Sequence, residues 1–165
     1  MNGVLASICS GVAKTSIARA MSESSWLFPA VETTHLVAMV LLVGSITIFD
    51  LRLLGLLLRK EPVSELAERL LPSTWGAFAV MAITGALLFA SEPVIKYCPN
   101  PAFQIKLVLI LLAGLNMSVF HFTIYRNVSK WDNKANTPFW AKMVGTFSVV
   151  LWGGVVVAGR WIGFV

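Results

Sequence analysis

Four long apolar runs dominate the chain, and each meets the roughly 20-residue length that a helix needs to span a bilayer. They cover about 26–58, 75–91, 103–125 and 139–164. Breakers separate them: Glu61-Pro62, Glu92-Pro93, Pro99-Asn100-Pro101 and Asn136-Thr137-Pro138. Prolines at Pro29, Pro72, Pro101 and Pro138 suit helix starts, where a missing N–H costs nothing. Trp26, Trp75, Tyr97, Trp131, Trp140 and Trp161 fall near run ends, the level of an interfacial aromatic belt. The pattern predicts an all-α fold: an integral membrane four-helix bundle over 26–165, preceded by a separate segment over 1–25.

Composition agrees with that solvent. Of 165 residues 57% are hydrophobic and 13% charged, against about a quarter charged in a soluble domain. Mean hydropathy is +0.78. An even number of spans puts both termini on one side. The first and third loops with their flanks hold Arg52, Arg59, Lys60, Arg69, Arg126, Lys130, Lys134 and Lys142; the termini and middle loop hold Lys14, Arg19, Lys96, Lys106 and Arg160. This asymmetry predicts cytoplasmic first and third loops and periplasmic termini in a bacterial inner membrane. The net charge of +5 is then a topology signal helped by anionic lipid, with no nucleic acid required.

The first 25 residues read differently. No positive charge precedes the apolar stretch 4–13, and Lys14 interrupts the chain directly after it, which argues against a signal peptide. On a helical wheel Val4, Leu5, Ile8, Cys9 and Val12 share one half, with Ser7, Ser10 and Lys14 opposite. An interfacial amphipathic helix is expected, with a loose tail as the alternative. Cys9 and Cys98 would share the outer side, where a disulfide is permitted, but nothing in the sequence brings them together and two free thiols are expected. No zinc-ligand spacing, phosphate loop or Ser-His-Asp arrangement is present.

Ionisable residues inside a membrane are expensive, so each is a functional candidate. Near the outer face five converge: Glu32 and His35 on the first span, Glu92 on the second, Lys106 on the third and Arg160 on the fourth. Near the inner face lie Asp50, Arg52, His121 and Arg126. Asp50 follows Glu32 by eighteen positions, about five turns, so the two share a face. On the third span Lys106, Ala113, Met117 and His121 cluster on the wheel. The two polar stripes are expected to face each other across the bundle. His35 and His121 are offset by roughly 20 Å along the axis, so they cannot ligate one iron. Structural readings stand beside these: a Glu32–Lys106 ion pair, an Asp50–His121 hydrogen bond, and snorkelling of Lys106 and Arg160.

The segments Val31-Glu32-Thr33-Thr34-His35, Phe49-Asp50-Leu51-Arg52-Leu53-Leu54-Gly55, Asn100-Pro101-Ala102-Phe103, Phe120-His121 and Gly159-Arg160-Trp161-Ile162-Gly163-Phe164 resemble an uncharacterised bacterial family of four-helix inner-membrane proteins. More distantly, the chain is similar to the membrane protoporphyrinogen oxidase and copper-resistance D families, through His35, Gly44, Arg52 and Lys106-Leu107. That resemblance implies a haem b site at the histidine and a functional role for the lysine. The oxidase family carries lysine three positions before the histidine, where this chain has Glu32.

The expectation drawn from both sources is a haem-like or quinone-like redox cofactor near the outer face. His35 would be its axial ligand or hydrogen-bond partner, Lys106 and Arg160 its anion holders, and Glu32 an orienting or proton-carrying group. Asp50 and His121 would relay protons inward. Competing readings are an accessory subunit of a larger membrane complex or a homo-oligomer, packed through Gly44-Ser45, Gly153-Gly154 and Gly159 with Gly163, and copper handling through Met39, Met81 and Met117.

Overall fold

The structure, a computed structural model, describes residues 3–132 and 137–164. Lys134 and Asn136, which entered the charge count and the breaker pattern, lie outside the described residues. Helices α1 (Gly3–Ala13) and α2 (Ser16–Glu23) form an N-terminal hairpin. The four long helices come next: α3 (Leu27–Leu54), α4 (Val63–Ser91), α5 (Pro101–Val119) and α6 (Phe139–Trp161). All four, with α5 prolonged to Lys130, are long and apolar enough to cross a membrane, and no strand occurs among the described residues. The chain is a multi-pass membrane protein.

Local chemistry sets the ends. Asn100 caps α5, accepting at its side-chain oxygen from the N–H groups of Ala102 (2.9 Å) and Phe103 (3.3 Å), with Pro101 in the first turn. Gly55 ends α3 in the left-handed conformation (φ 73°), its N–H returning to the Arg52 and Leu51 carbonyls. The first span therefore stops at Leu54 rather than running to Leu58. Pro72 does not start the second span, as the breaker reading supposed; it lies inside α4, which begins nine residues earlier at Val63. The two turns before Pro72 carry Glu65, Glu68 and Arg69, so hydropathy masks a helix that extends past the lipid. Hydroxyls of Ser73 (2.8 Å) and Thr74 (2.7 Å) donate to the Leu70 carbonyl beside the proline, the type of side-chain support that lets proline sit in a membrane helix.

Packing runs α4–α3–α6–α5. The broad seams join α3 to α4, α3 to α6 and α5 to α6, and no comparable seam joins α4 to α5 or α3 to α5 among the described residues. The expectation of two polar stripes facing one another from the first and third spans is thereby corrected: α3 turns its polar groups to α4 and α6 instead. A central cluster of Ala38, Leu42, Ala77, Met81, Ala113, Trp152 and Val155 ties the bundle at mid-depth. An inner cluster holds Leu53, Val63, Phe120, Trp131 and Ala141, and an outer one Tyr97, Ala102 and Ile162. At Phe120 α5 gives way to a π-helical turn, Phe120–Ile124. There Phe120 is buried and His121 is exposed, so the stripe of Lys106, Ala113, Met117 and His121 does not stay on one inward face.

The N-terminal segment is helical, and it is fastened to the bundle. Ala18 and Met21 are buried, and α2 packs along α4 while α1 packs on the π-helical turn Pro93–Tyr97. Cys9 and Cys98 form a disulfide with Cα atoms 6.6 Å apart. The expectation of two free thiols is overturned because α1 folds back onto the segment that carries Cys98. Both sulfur-bearing residues are buried, at 1% and 2% exposure.

Candidate functional site

His35 lies about two turns into α3, roughly 12 Å from Leu27, and faces α4. Its Nδ1 sits 2.9 Å from the Thr84 hydroxyl oxygen. That hydroxyl spends its own proton on the Val80 carbonyl, 2.7 Å away, with the Met81 carbonyl at 3.3 Å. Its oxygen can then only accept from the imidazole, so the ring proton belongs on Nδ1 and the lone pair on Nε2. Gly85 makes this approach feasible: a Cβ there would stand 3.2 Å from His35 Cε1. Thr84 and Gly85 were not legible as parts of a site, because a threonine and a glycine in an apolar helix read as packing.

Lys106 lies about one and a half turns into α5 and faces α6. Its side chain crosses Gly159, where an added Cβ would meet Nζ at 3.1 Å. Its charge acts on His35, so these two sequence candidates are brought into one neighbourhood. The Glu32–Lys106 ion pair does not form: no carboxylate among the described residues lies within ion-pair distance of Lys106. Glu32 is exposed at the rim, where its charge reaches Tyr97. Glu92 pairs instead with Lys96 at 3.8 Å. Arg160 is exposed, its guanidinium 5.4 Å from the Phe164 ring centroid, and lines an outward apolar groove with Val156, Val157, Trp161 and Phe164.

At the outer ends of α4 and α5, at a shallower level than this pair, sits an aromatic roof. Phe89 of α4 and Phe103 of α5 stack with centroids 5.4 Å apart and planes within 8°. Tyr97 leans on both, at 6.0 and 5.5 Å. Burial of Tyr97, then the Glu92 and Glu32 charges, raises its phenol above the ordinary value despite a hydrogen bond with Ser91. Asn100 closes the corner by donating to the Ile162 carbonyl at 3.2 Å.

The inner layer is arranged differently. Asp50 is 4% exposed and turns to α6, where Ser148 hydrogen-bonds it, and its Oδ2 has no partner among the described residues. His121 stacks on Tyr125, centroids 5.7 Å apart, and no hydrogen bond or ion pair joins it to Asp50 among the described residues. Arg52 is 1% exposed; Nε donates to the Glu61 carbonyl at 2.8 Å and Nη1 to the Thr137 hydroxyl at 3.4 Å. Asp132 receives the Ser64 N–H at 2.9 Å and the Ser64 hydroxyl at 2.5 Å. Partial burial pushes the Asp132 carboxyl up, but the Ser64 hydroxyl, the Ser64 and Val63 N–H groups and the Arg52 charge together hold it below the ordinary carboxylate value. This knot escaped the sequence reading, since Asp132 and Arg52 are 80 positions apart in a loop and a span end.

Four apolar spans with titratable groups held within them define the class: a small polytopic membrane protein with polar side chains inside its bundle. Residues 26–165 match the model of a family of unknown function, DUF6644, and the chain belongs to that family. No curated protein and no solved structure matches the chain.

Proposed function

We propose that this protein binds a haem-like or quinone-like redox cofactor in the outer half of its bundle, with His35 as its point of attachment. The observation that carries the reading is the 2.9 Å contact of His35 Nδ1 with the Thr84 hydroxyl, whose other partners assign the ring proton to Nδ1. Metal-ligating histidines usually give their other N–H to a fixed acceptor, and Thr84 with the Val80 carbonyl behind it is such an acceptor. The bare Nε2 serves equally as an axial ligand or as acceptor for a quinol hydroxyl. Among the described residues no three His, Cys, Asp or Glu side chains gather as a metal site, so iron at His35 would need the four nitrogens of a macrocycle. Lys106, an ammonium without an anionic partner among the described residues, suits a propionate or a quinone oxygen. Arg160 would serve as a second anion holder from the rim, and Glu32 as a proton carrier at the water boundary. Asp50 and His121 do not form a direct relay pair, and an inward proton path would need water between them.

The test is an absorption spectrum of detergent-purified protein, oxidised and then reduced. A Soret band with α and β peaks on reduction, abolished by His35→Ala and retained in His121→Ala, is the haem outcome. A colourless sample whose lipid extract contains quinone, lost in His35→Ala, is the quinone outcome. A sample carrying neither defeats the proposal.

The accompanying orientation, both termini periplasmic in the inner membrane, rests on the basic loops. Reporter fusions after Arg59 should read cytoplasmic and fusions between Tyr97 and Asn100 external. A second reading, an accessory subunit within a larger assembly, draws on α5: its outward residues Val108, Leu111, Leu115 and Val119 are each more than half exposed. Copper handling has less support, since Met117 is 37% exposed while Met81 is buried in the central cluster.

A further inference from the structure

We infer that the occupant of the His35–Lys106 site is a lipid-dissolved quinone-like ring that enters sideways from the bilayer between α4 and α5. The inference rests on the proposed cofactor site and narrows it to one ligand class and one route.

Three observations point the same way. First, the outer ends of α4 and α5 are crowded. Phe89, Tyr97 and Phe103 pack together at a shallower level than His35 and Lys106, Asn100 ties that corner to Ile162, and the disulfide pins α1 to the segment that carries Cys98. Second, the lipid route is open. α4 and α5 meet at Phe89 and Phe103 but share no seam along their described lengths, because α5 leans on α6. Third, the polar groups match a ring carrying two oxygens. Lys106 is a donor with no carboxylate to hold among the described residues, and His35 Nε2 is an acceptor whose tautomer is fixed from behind.

Depth separates this ligand from an ordinary phospholipid. Lys106 and His35 lie roughly 8 and 12 Å inside their helix starts, beneath the aromatic roof. A phosphate at headgroup level would find Arg19 and Lys96 first, at the exposed rim. A planar ring bearing an apolar tail can lie at the deeper level with its tail leaving through the α4–α5 opening.

The test uses the full chain in nanodiscs of neutral phospholipid, with decyl-ubiquinone as probe and quenching of Trp fluorescence as the readout. Trp152, in the central cluster with Ala113 and Met81, is the reporter, and Trp152→Phe removes the specific component. The expected result is saturable quenching, weakened at least tenfold in Lys106→Met and in His35→Leu, with Lys106→Arg retaining most of it. The tail-less ring, ubiquinone-0, should bind at least tenfold more weakly. Helicity and melting temperature of each variant confirm that loss of binding is not loss of fold. Equal binding of the tail-less ring, or quenching indifferent to both substitutions, overturns the inference. A Soret band that depends on His35, with no quinone binding, leaves the cofactor proposal standing and removes this one. Excess anionic phospholipid that displaces the probe would assign the site to a lipid headgroup instead.

Discussion

The two ends of the bundle treat their cations in opposite ways. At the inner end Arg52 is almost wholly buried and its guanidinium is answered by a carbonyl, a hydroxyl and the nearby Asp132. Asp132 is in turn held by Ser64. At the outer end Lys106 is half-buried with no anion beside it among the described residues, and His35 has one nitrogen engaged and one free. A buried cation held by a carbonyl, a hydroxyl and a nearby carboxylate is there to fix geometry. A charge left partly unmatched inside a membrane is tolerated at a cost, and that cost is expected where something else binds. Charge content alone would not have separated the two ends. The partners beside each cation do.

The largest test of this contrast removes one cation from each end. Arg52→Ala takes the donors from the Glu61 carbonyl and the Thr137 hydroxyl and leaves a gap in a buried site, and should destabilise by about 2–3 kcal/mol. Thermal unfolding in detergent should show a fall of many degrees. Lys106→Met removes an ammonium that has no ion-pair partner among the described residues, so the melting temperature should hold or rise. If Lys106→Met unfolds the protein as readily as Arg52→Ala, the outer charge is scaffolding after all.

A smaller effect comes from pH. The Asp132 carboxyl is held below its ordinary value in the folded chain, so the unfolded chain binds a proton first as pH falls. Its contribution to stability is full above about pH 4, the ordinary aspartate value. The contribution is lost as pH drops through the folded value. Melting curves taken between about pH 6 and about pH 3 should therefore slope downward, and Asp132→Asn should flatten the acid limb. An unchanged slope in that variant would reassign the acid sensitivity to other carboxylates.

The smallest effect is the loss of one hydrogen bond. Thr84→Val deletes the acceptor behind His35 and should cost about 1 kcal/mol. The sharper reading is spectroscopic: ¹⁵N chemical shifts of the imidazole should show protonated Nδ1 in the parent and mixed tautomers in the variant. Parent protein protonated at Nε2 would undo the argument for a prepared ligand.

Much of the architecture is legible in the sequence because lipid imposes long uniform runs, and the four spans fall where those runs lie. The errors came where a helix leaves lipid. The stretch from Val63 to Leu71 is helical yet charged, so hydropathy started the second helix too late and made Pro72 its first turn. Helical wheels placed Lys106 and His121 on one stripe, which assumed a regular helix; the π-helical turn at Phe120 breaks that assumption. His35 and Lys106 could be named from their cost in the membrane. Their neighbours Thr84, Gly85 and Gly159 could not, because small residues in a span have too many ordinary uses. The cysteine pair was missed for a third reason: pairing depends on how α1 folds back, and no local pattern encodes that.

The bridge between Cys9 and Cys98 also works as a record of sidedness. The two residues flank the first two spans, and the chain between them, a sequence separation of 89, crosses the membrane twice and returns. Oxidation of the pair needs both thiols delivered to a compartment that makes disulfides. A chain whose termini face a reducing cytoplasm would keep both thiols reduced, and the ring would stay open. Alkylation of whole cells before lysis, read on a non-reducing gel, therefore reports the orientation of each molecule without any fusion. The untagged protein carries its own label for which way it faces.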